Sequence, residues 1–179
     1  MNQKTPHSDR LIYRQLEESD FPFFSRLYWD TAVMRYTLLD TCESPEDAQK
    51  IFREVLDIWR YIHYIVIQKS ENMLIGMVFY EIVHDHPHGW IAEIGFILKP
   101  ESWNQWYATE TGNAIISFLF DNTRIHKIFW AHHVDNTASG KILTKLGMKQ
   151  EGIARSVRYK DNEWKDELQY GLLREEYMR

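Results

Sequence analysis

Glu93-Ile-Gly-Phe-Ile-Leu-Lys-Pro-Glu-Ser-Trp-Asn-Gln-Trp-Tyr-Ala-Thr-Glu110 is the stretch that decides the fold. It begins inside a strand pattern over 90–98, is broken by Pro100, and resumes with helical spacing from about 105 to 120. Such a junction leaves the first helical amides without internal partners, at the positive end of the helix dipole. A phosphate or pyrophosphate suits that position. Alternation along the strand puts Glu93 on one face with Ile91, Gly95 and Ile97, and puts Ile94 and Phe96 on the other.

Upstream, Arg10-Leu-Ile-Tyr-Arg-Gln-Leu16 reads as a first strand. Ser19 or Asp20 then caps a helix to about Trp29, with Phe23, Phe24, Leu27 and Tyr28 as its apolar face. Ser44-Pro45-Glu46-Asp47 gives a second helix its capping hydroxyl, first-position proline and first-turn acids. Ile51, Phe52, Val55, Ile58 and Trp59 follow at helical spacing. Residues 61–68, 74–83 and 90–98 form an antiparallel meander. Downstream come a strand over 127–134, a helix over 137–146 closed by Gly147, and a hairpin of 149–159 with 163–173. The order β-α-α-β-β-β-α-β-α-β-β predicts a mixed, mostly antiparallel sheet with helices packed on it. That is one α/β (α+β) domain over 10–179, behind a polar tail over 1–9.

Composition narrows the class. The 179 residues carry 21 Lys and Arg against 26 Asp and Glu, a formal charge of −5 that argues against a general nucleic-acid binder. A hydrophobic share of 44% supports a core and excludes a disordered or fibrous chain. No apolar run approaches the roughly 20 residues of a membrane span. The single cysteine, Cys42, excludes a disulfide framework and fits a reducing, cytoplasmic compartment, and the polar 1–10 stretch does not read as a signal peptide. Aromatics reach 15%, with seven tryptophans, and composition leaves open whether they pack, bind or both.

The chain resembles the GNAT acetyltransferases, the acyl-CoA-dependent N-acetyltransferases, in the branch that modifies ribosomal-protein N-termini. The resemblance is carried by Arg10-Leu-Ile, Val33-Met-Arg-Tyr36, Ala92-Glu-Ile-Gly-Phe96, Tyr107-Ala-Thr-Glu110 and Ile125-His-Lys-Ile128. Asn136-Thr-Ala-Ser139, Lys145-Leu-Gly-Met148, Glu151-Gly152 and Asp166 with Tyr170 complete it. It implies a seven-stranded sheet with helices on both faces, whose two central parallel strands, ending near Leu98 and Val134, splay apart around acetyl-CoA. The pantetheine then pairs with Phe96, Ile97 and Leu98. The pyrophosphate rests on Asn104, Gln105, Trp106, Tyr107, Ala108 and Thr109, and the amine enters from the other side of the gap. The family's loop is usually Arg or Gln, two residues, Gly, one residue, then Gly or Ala. Here Ala108 is kept, but Trp106 stands at the glycine before it, and Asn104 stands where a further glycine is common. Glycine lets the backbone approach a phosphate closely. A tryptophan there leaves the amides usable if its ring turns outward, and obstructs the phosphate if it does not.

Acetyl transfer needs a neutral amine, a polarised carbonyl and a proton for the departing thiolate. The resemblance implies carbonyl donors among the backbone N–H groups near Ile97. The family's tyrosine acid falls at Leu143, so Ser139, a serine in the branch resembled, is the candidate donor, with Asn136 orienting the cofactor. Both also read simply as a helix N-cap and a first-turn residue. Glu93 is the candidate base, acting through water; the competing reading pairs it structurally with Arg14 or Arg35. Phe24, Tyr28, Trp29 and Tyr36 supply the acceptor wall.

The expected activity is acetyl transfer from acetyl-CoA to a primary amine, either a protein N-terminus or a small molecule, by direct attack in a ternary complex. No metal, nucleic-acid or membrane partner is expected, and the family makes a homodimer plausible. The alternative is a non-catalytic GNAT-like binding module with an altered CoA loop. Among the remaining signals, His84-Asp85-His86-Pro87-His88 offers metal-type ligands without a distant fourth. One of His132 and His133 points inward, Cys42 has no histidine partner, and Arg155, Arg158 and Lys160 suggest a solvated basic face.

Overall fold

Seven strands form one sheet: β1 (Leu11–Gln15), β2 (Tyr61–Gln68), β3 (Met73–His86), β4 (Gly89–Leu98), β5 (Ile125–His133), β6 (Lys149–Lys160) and β7 (Glu163–Leu173). Their order is β1-β2-β3-β4-β5-β7-β6, and β4 with β5 is the parallel pair within an otherwise antiparallel ladder. The structure, a computed structural model, describes residues 5–37, 42, 44–57 and 61–177. The helices are α1 (Phe21–Trp29), α2 (Thr31–Met34), α3 (Pro45–Asp57), α4 (Tyr107–Asn122), α5 (Thr137–Lys145) and α6 (Arg174–Tyr177). The expected Ile58 and Trp59 of α3 lie outside the described residues. No helix of the described residues is long and apolar enough to cross a membrane.

The helix starts follow from their side chains. Ser44 Oγ accepts from Asp47 N at 3.1 Å, the capping hydroxyl that the sequence suggests for α3, and donates to the Asp47 carboxylate at 2.7 Å. Asp20 stands at the start of α1, but its carboxylate turns back to take both guanidinium nitrogens of Arg14 (2.7 and 2.6 Å) and the Glu17 N–H (2.9 Å). Burial works against that charge, and Arg14 with the Glu17 amide outweighs it, so the carboxyl sits below the usual carboxylate range. The short α2 was not expected, although Asp30 Oδ1 caps it through Ala32 N (2.9 Å) and Val33 N (3.2 Å). At the far end, Asp161 and Asn162 take positive φ values of 53° and 62°, as a tight two-residue hairpin turn requires.

Two cores lie on the two faces of the sheet. On one, Ile115, Leu119 and Phe120 of α4 and Leu143 and Leu146 pack against Ile75, Val78, Ile94, Ile128 and Trp130. On the other, Phe24 and Leu27 of α1, Met34 and Phe52 pack against Ile65, Ile67 and Met77. Each such side chain contributes about 1.5–3 kcal/mol by leaving water. Ala92, Ile94, Phe96 and Leu98 belong to the α4 face and Ile97 to the α1–α3 face, so the expected alternation holds and Glu93 looks towards α1–α3.

Candidate active site

The parallel ladder between β4 and β5 runs from Trp90 opposite Ile125 to Glu93 opposite Phe129 and then stops. From Ile94 onward β4 pairs only with β3, while β5 continues along β7 to His133. The two central strands therefore splay, with the rings of Phe96 and Trp130 meeting edge-on at 4.8 Å in the opening on the α4 side. The peptide groups of β4 divide between the two sides. Ile97 O faces β3, so close to Gly76 that a Cβ there would lie 2.2 Å from it. Leu98 O faces the open side, where Trp103 Nε1 donates to it at 2.8 Å. By strand alternation the groups of Phe96 share that open side. The backbone donors facing the gap are thus those of Phe96 and Leu98 rather than Ile97, and Trp103 occupies one acceptor of that edge.

The loop beyond Leu98 keeps a glycine-type backbone without the glycines. Asn104 has φ 59°, and Trp106, the residue before α4, has φ 67° and ψ 0°. Asparagine tolerates this left-handed region; a bulky residue seldom does, at a cost of roughly 1–3 kcal/mol. Surrounding contacts impose it. Gln105 Nε2 donates to Glu101 O (2.6 Å), and Arg10 donates to Gln105 O (3.2 Å) and, through Nε, to Glu110 (2.7 Å). The Arg10 guanidinium also lies 4.6 Å from the centre of the buried Tyr107 ring. The Trp106 ring is turned outward: it is 64% exposed and faces Lys145 Nζ at 4.2 Å. No side chain caps the start of α4. An open strand edge, uncapped first-turn amides and an indole directed away from them fit the pantetheine and pyrophosphate of acetyl-CoA.

Glu93 sits on the last rung before the splay. It pairs in register with Glu81 of β3. Burial raises its pKa, Glu81 and Glu167 raise it further, and Arg158 partly opposes them. The partners named in the structural reading are engaged elsewhere: Arg14 holds Asp20, and Arg35 lies 5.1 Å from the Tyr36 ring centre. Arg158 itself donates to the buried Glu167 at 2.8 Å. Lys160 is buried and donates to Met34 O (2.6 Å) and Thr37 O (3.1 Å). The expected solvated basic face is therefore corrected for Lys160; Arg155 is exposed and the Arg158 side chain is half-exposed.

The four aromatics of the expected acceptor wall divide. Phe24 is fully buried, stacked on Tyr28 at 4.0 Å and against Phe52 at 4.9 Å, and Tyr28 is only 4% exposed. These two are core residues that present no surface to a ligand. Trp29 is 44% exposed at the end of α1, and Tyr36 approaches the His133 ring at 5.8 Å beside the gap. Lys160 ties the β6–β7 hairpin over this same segment. Across the sheet, Asn136 Oδ1 accepts from Ser139 N at 3.2 Å, which is the N-cap geometry, and Leu143 is fully buried hydrocarbon. His132 points inward, as one of the pair had to. Its Nδ1 lies 2.8 Å from His133 O, so Nδ1 carries the proton, and burial holds the ring below its ordinary pKa. A Cβ on Gly140 would lie 3.2 Å from His132 Nε2, a tight contact that would press on the ring.

Asp85 of the histidine-rich loop bonds Trp90 Nε1 (2.6 Å) and Arg124 (3.0 Å), and no group of three ligating side chains converges among the described residues.

Comparison with known proteins gives the family. Residues 10–149 match the acetyltransferase (GNAT) domain. The uncharacterized N-acetyltransferase YnaD of Bacillus subtilis is 32% identical over 94% of this chain and 96% of its own length. A GNAT-family acetyltransferase of Bacillus anthracis superposes with a TM-score of 0.81 at 26% identity, over 95% of this chain and 98% of that one. The spermidine N-acetyltransferase of Vibrio cholerae, solved with CoA and spermine, gives 0.83 at 22% identity over 95% and 99%. The chain therefore belongs to the GNAT acetyltransferases, the acetyl-CoA-dependent enzymes that acetylate an amine.

Proposed function

We propose that the acceptor is a primary amine that reaches the gap from the α1–α3 face and gives up its proton, through water, to the Glu93 carboxylate. The observation carrying this reading is the position of Glu93: a desolvated acid on the last paired rung before the strands part. Bound acetyl-CoA supplies the activated acyl group. For its part, the chain would hold the pantetheine on the peptide groups of Phe96 and Leu98 and the pyrophosphate on the loop from Asn104 to Thr109. Asn136 fixes the first turn of α5, from which the Ser139 hydroxyl donates a proton to the leaving sulfur. Tyr36 and Trp29 border the acceptor's path.

Two acceptor classes compete. The carboxylates of Glu81, Glu93 and Glu167, opposed by one guanidinium, favour a small cationic amine, and the fold shared with a spermidine N-acetyltransferase makes a polyamine the first to test. The resemblance to the ribosomal-protein branch supports a protein N-terminus, and with it a homodimer, which light scattering would detect. Release of CoA thiol measured with polyamines and with unblocked peptides decides between the acceptors: turnover with polyamines alone removes the N-terminal reading, and turnover with peptides alone removes the polyamine reading.

Cofactor binding has its own measurement. CoA at 100 times its dissociation constant should add about 2.7 kcal/mol to the folded state. For a chain of this length that raises the melting temperature by roughly 5–10 °C. An unchanged melt at millimolar CoA would contradict the site described above. For the acid, Ser139→Ala should lower kcat by about 100-fold while leaving CoA affinity within a factor of two. Equal losses in both would make Ser139 a binding residue.

A further inference from the structure

We propose that Phe79 selects the acceptor: its ring walls the approach to Glu93 and admits a primary amine carried on an unbranched methylene, not one on a branched carbon. This rests on the acceptor reaching Glu93 from the α1–α3 face, and it narrows the acceptor to one class. His63, Phe79 and Gly95 form one row across β2, β3 and β4, each in register with the next. A Cβ on Gly95 would lie 2.5, 2.9 and 3.1 Å from Cζ, Cε2 and Cε1 of Phe79. The outer edge of the ring therefore rests over the β4 backbone, in the space a side chain would fill. Gly95 has no positive φ, so what glycine provides at this position is room for that ring. The buried His63 ring stands 5.3 Å behind it.

Neither core claims the Phe79 ring. Met77, two residues earlier on the same face, belongs to the α1–α3 cluster, whereas Phe79 is half-buried and belongs to neither cluster. Glu93 precedes Gly95 by two positions on that face, and the β4–β5 ladder ends where Glu93 stands opposite Phe129. Ile128 and Trp130 belong to the α4 face, so Phe129 shares the face of Glu93; it too is half-buried and outside both clusters. The carboxylate is thus flanked by two phenyl rings at the rung where the strands part. A methylene chain can lie along such rings, but a methyl group beside the reacting nitrogen would overpack them. The α-amino group of a peptide sits on a branched carbon unless the first residue is glycine. The wall therefore favours an aliphatic amine over a protein N-terminus.

1,4-Diaminopentane carries one amine on a methylene and one on a methyl-bearing carbon, so its two monoacetyl products report the selection within one molecule. With acetyl-CoA, wild type should form the methylene-end product in about 100-fold excess. Phe79→Ala should cut that excess by about tenfold or more, with its melting shift in CoA remaining that of wild type. Phe79→Leu, which keeps hydrocarbon but loses the outer edge of the ring, should fall between the two and serves if Phe79→Ala does not fold. An excess unchanged in the variants, or a wild type that acetylates both ends alike, overturns the proposal. So does a wild type that leaves the diamine untouched and acetylates peptides whose first residue bears a side chain. A wild type inert towards diamine and peptides alike overturns the underlying assignment of an amine acceptor at Glu93, an outcome distinct from any product ratio.

Discussion

Replacing Glu93 by glutamine is expected to lower kcat by roughly 10²–10⁴-fold, the usual contribution of a positioned base, with little change in acetyl-CoA affinity. The carboxylate is active when deprotonated. Because burial and two neighbouring acids raise its pKa, wild-type turnover should fall as the pH drops through that raised value, and Glu93→Gln should lose this limb of the profile. Stability should move the other way. A buried group whose charged form is disfavoured by Glu81 and Glu167 is relieved by a neutral isostere, so the variant should melt no lower than wild type. A structural acid would behave oppositely, with turnover preserved and the melt lowered. Measuring kcat against pH together with the melting curve separates the two, and turnover within a few-fold of wild type would remove Glu93 from the mechanism.

The second large effect concerns stability in acid. His63 is 6% exposed, with its ring 5.3 Å from that of Phe79, and burial lowers its pKa from 6.5 to about 4. The unfolded chain therefore binds this proton more readily than the folded one. The stability associated with a neutral His63 is fully present above pH 6.5 and is lost progressively as the pH falls towards 4. The interval corresponds to about 3 kcal/mol, or roughly 6–12 °C in melting temperature. Denaturant titrations between pH 7.5 and 4 should show wild type losing more stability than His63→Gln over that window. Parallel losses in the two proteins would mean that His63 is not the group responsible.

The succession of strands and helices along the chain was legible because local patterns determine it: alternation in the meander, Ser44 before Pro45, Gly147 after α5. The site was legible only in part. Glu93 could be placed on its face by counting, but its electrostatic partners could not. Arg14 bonds an acid six residues away, whereas Arg158 reaches Glu93's neighbourhood through a hairpin that begins more than fifty residues later. Phe24 and Tyr28 read correctly as an apolar face. That they stack with each other and with Phe52 depends on where α3 lies, and helical spacing does not encode that. Trp106 is the clearest limit. A positive φ at tryptophan runs against its local preference and is set by bonds from Arg10 and Gln105 that only the folded chain supplies. The short α2 was within reach, since Asp30 ahead of Thr-Ala-Val is a capping signal, though four residues give little periodicity to recognise.

Arg10 makes the loop ahead of α4 a long-range feature of the chain. Arg10 and Glu110 are separated by 100 positions, and the same guanidinium holds Gln105 O. The hydrogen bonds of α4 lie within one segment, but the loop ahead of it is held by a contact that closes 100 positions of chain, at an entropic cost that grows with that length. The shape of that loop is therefore a property of the assembled sheet and not of the strand–loop–helix segment that carries the residues.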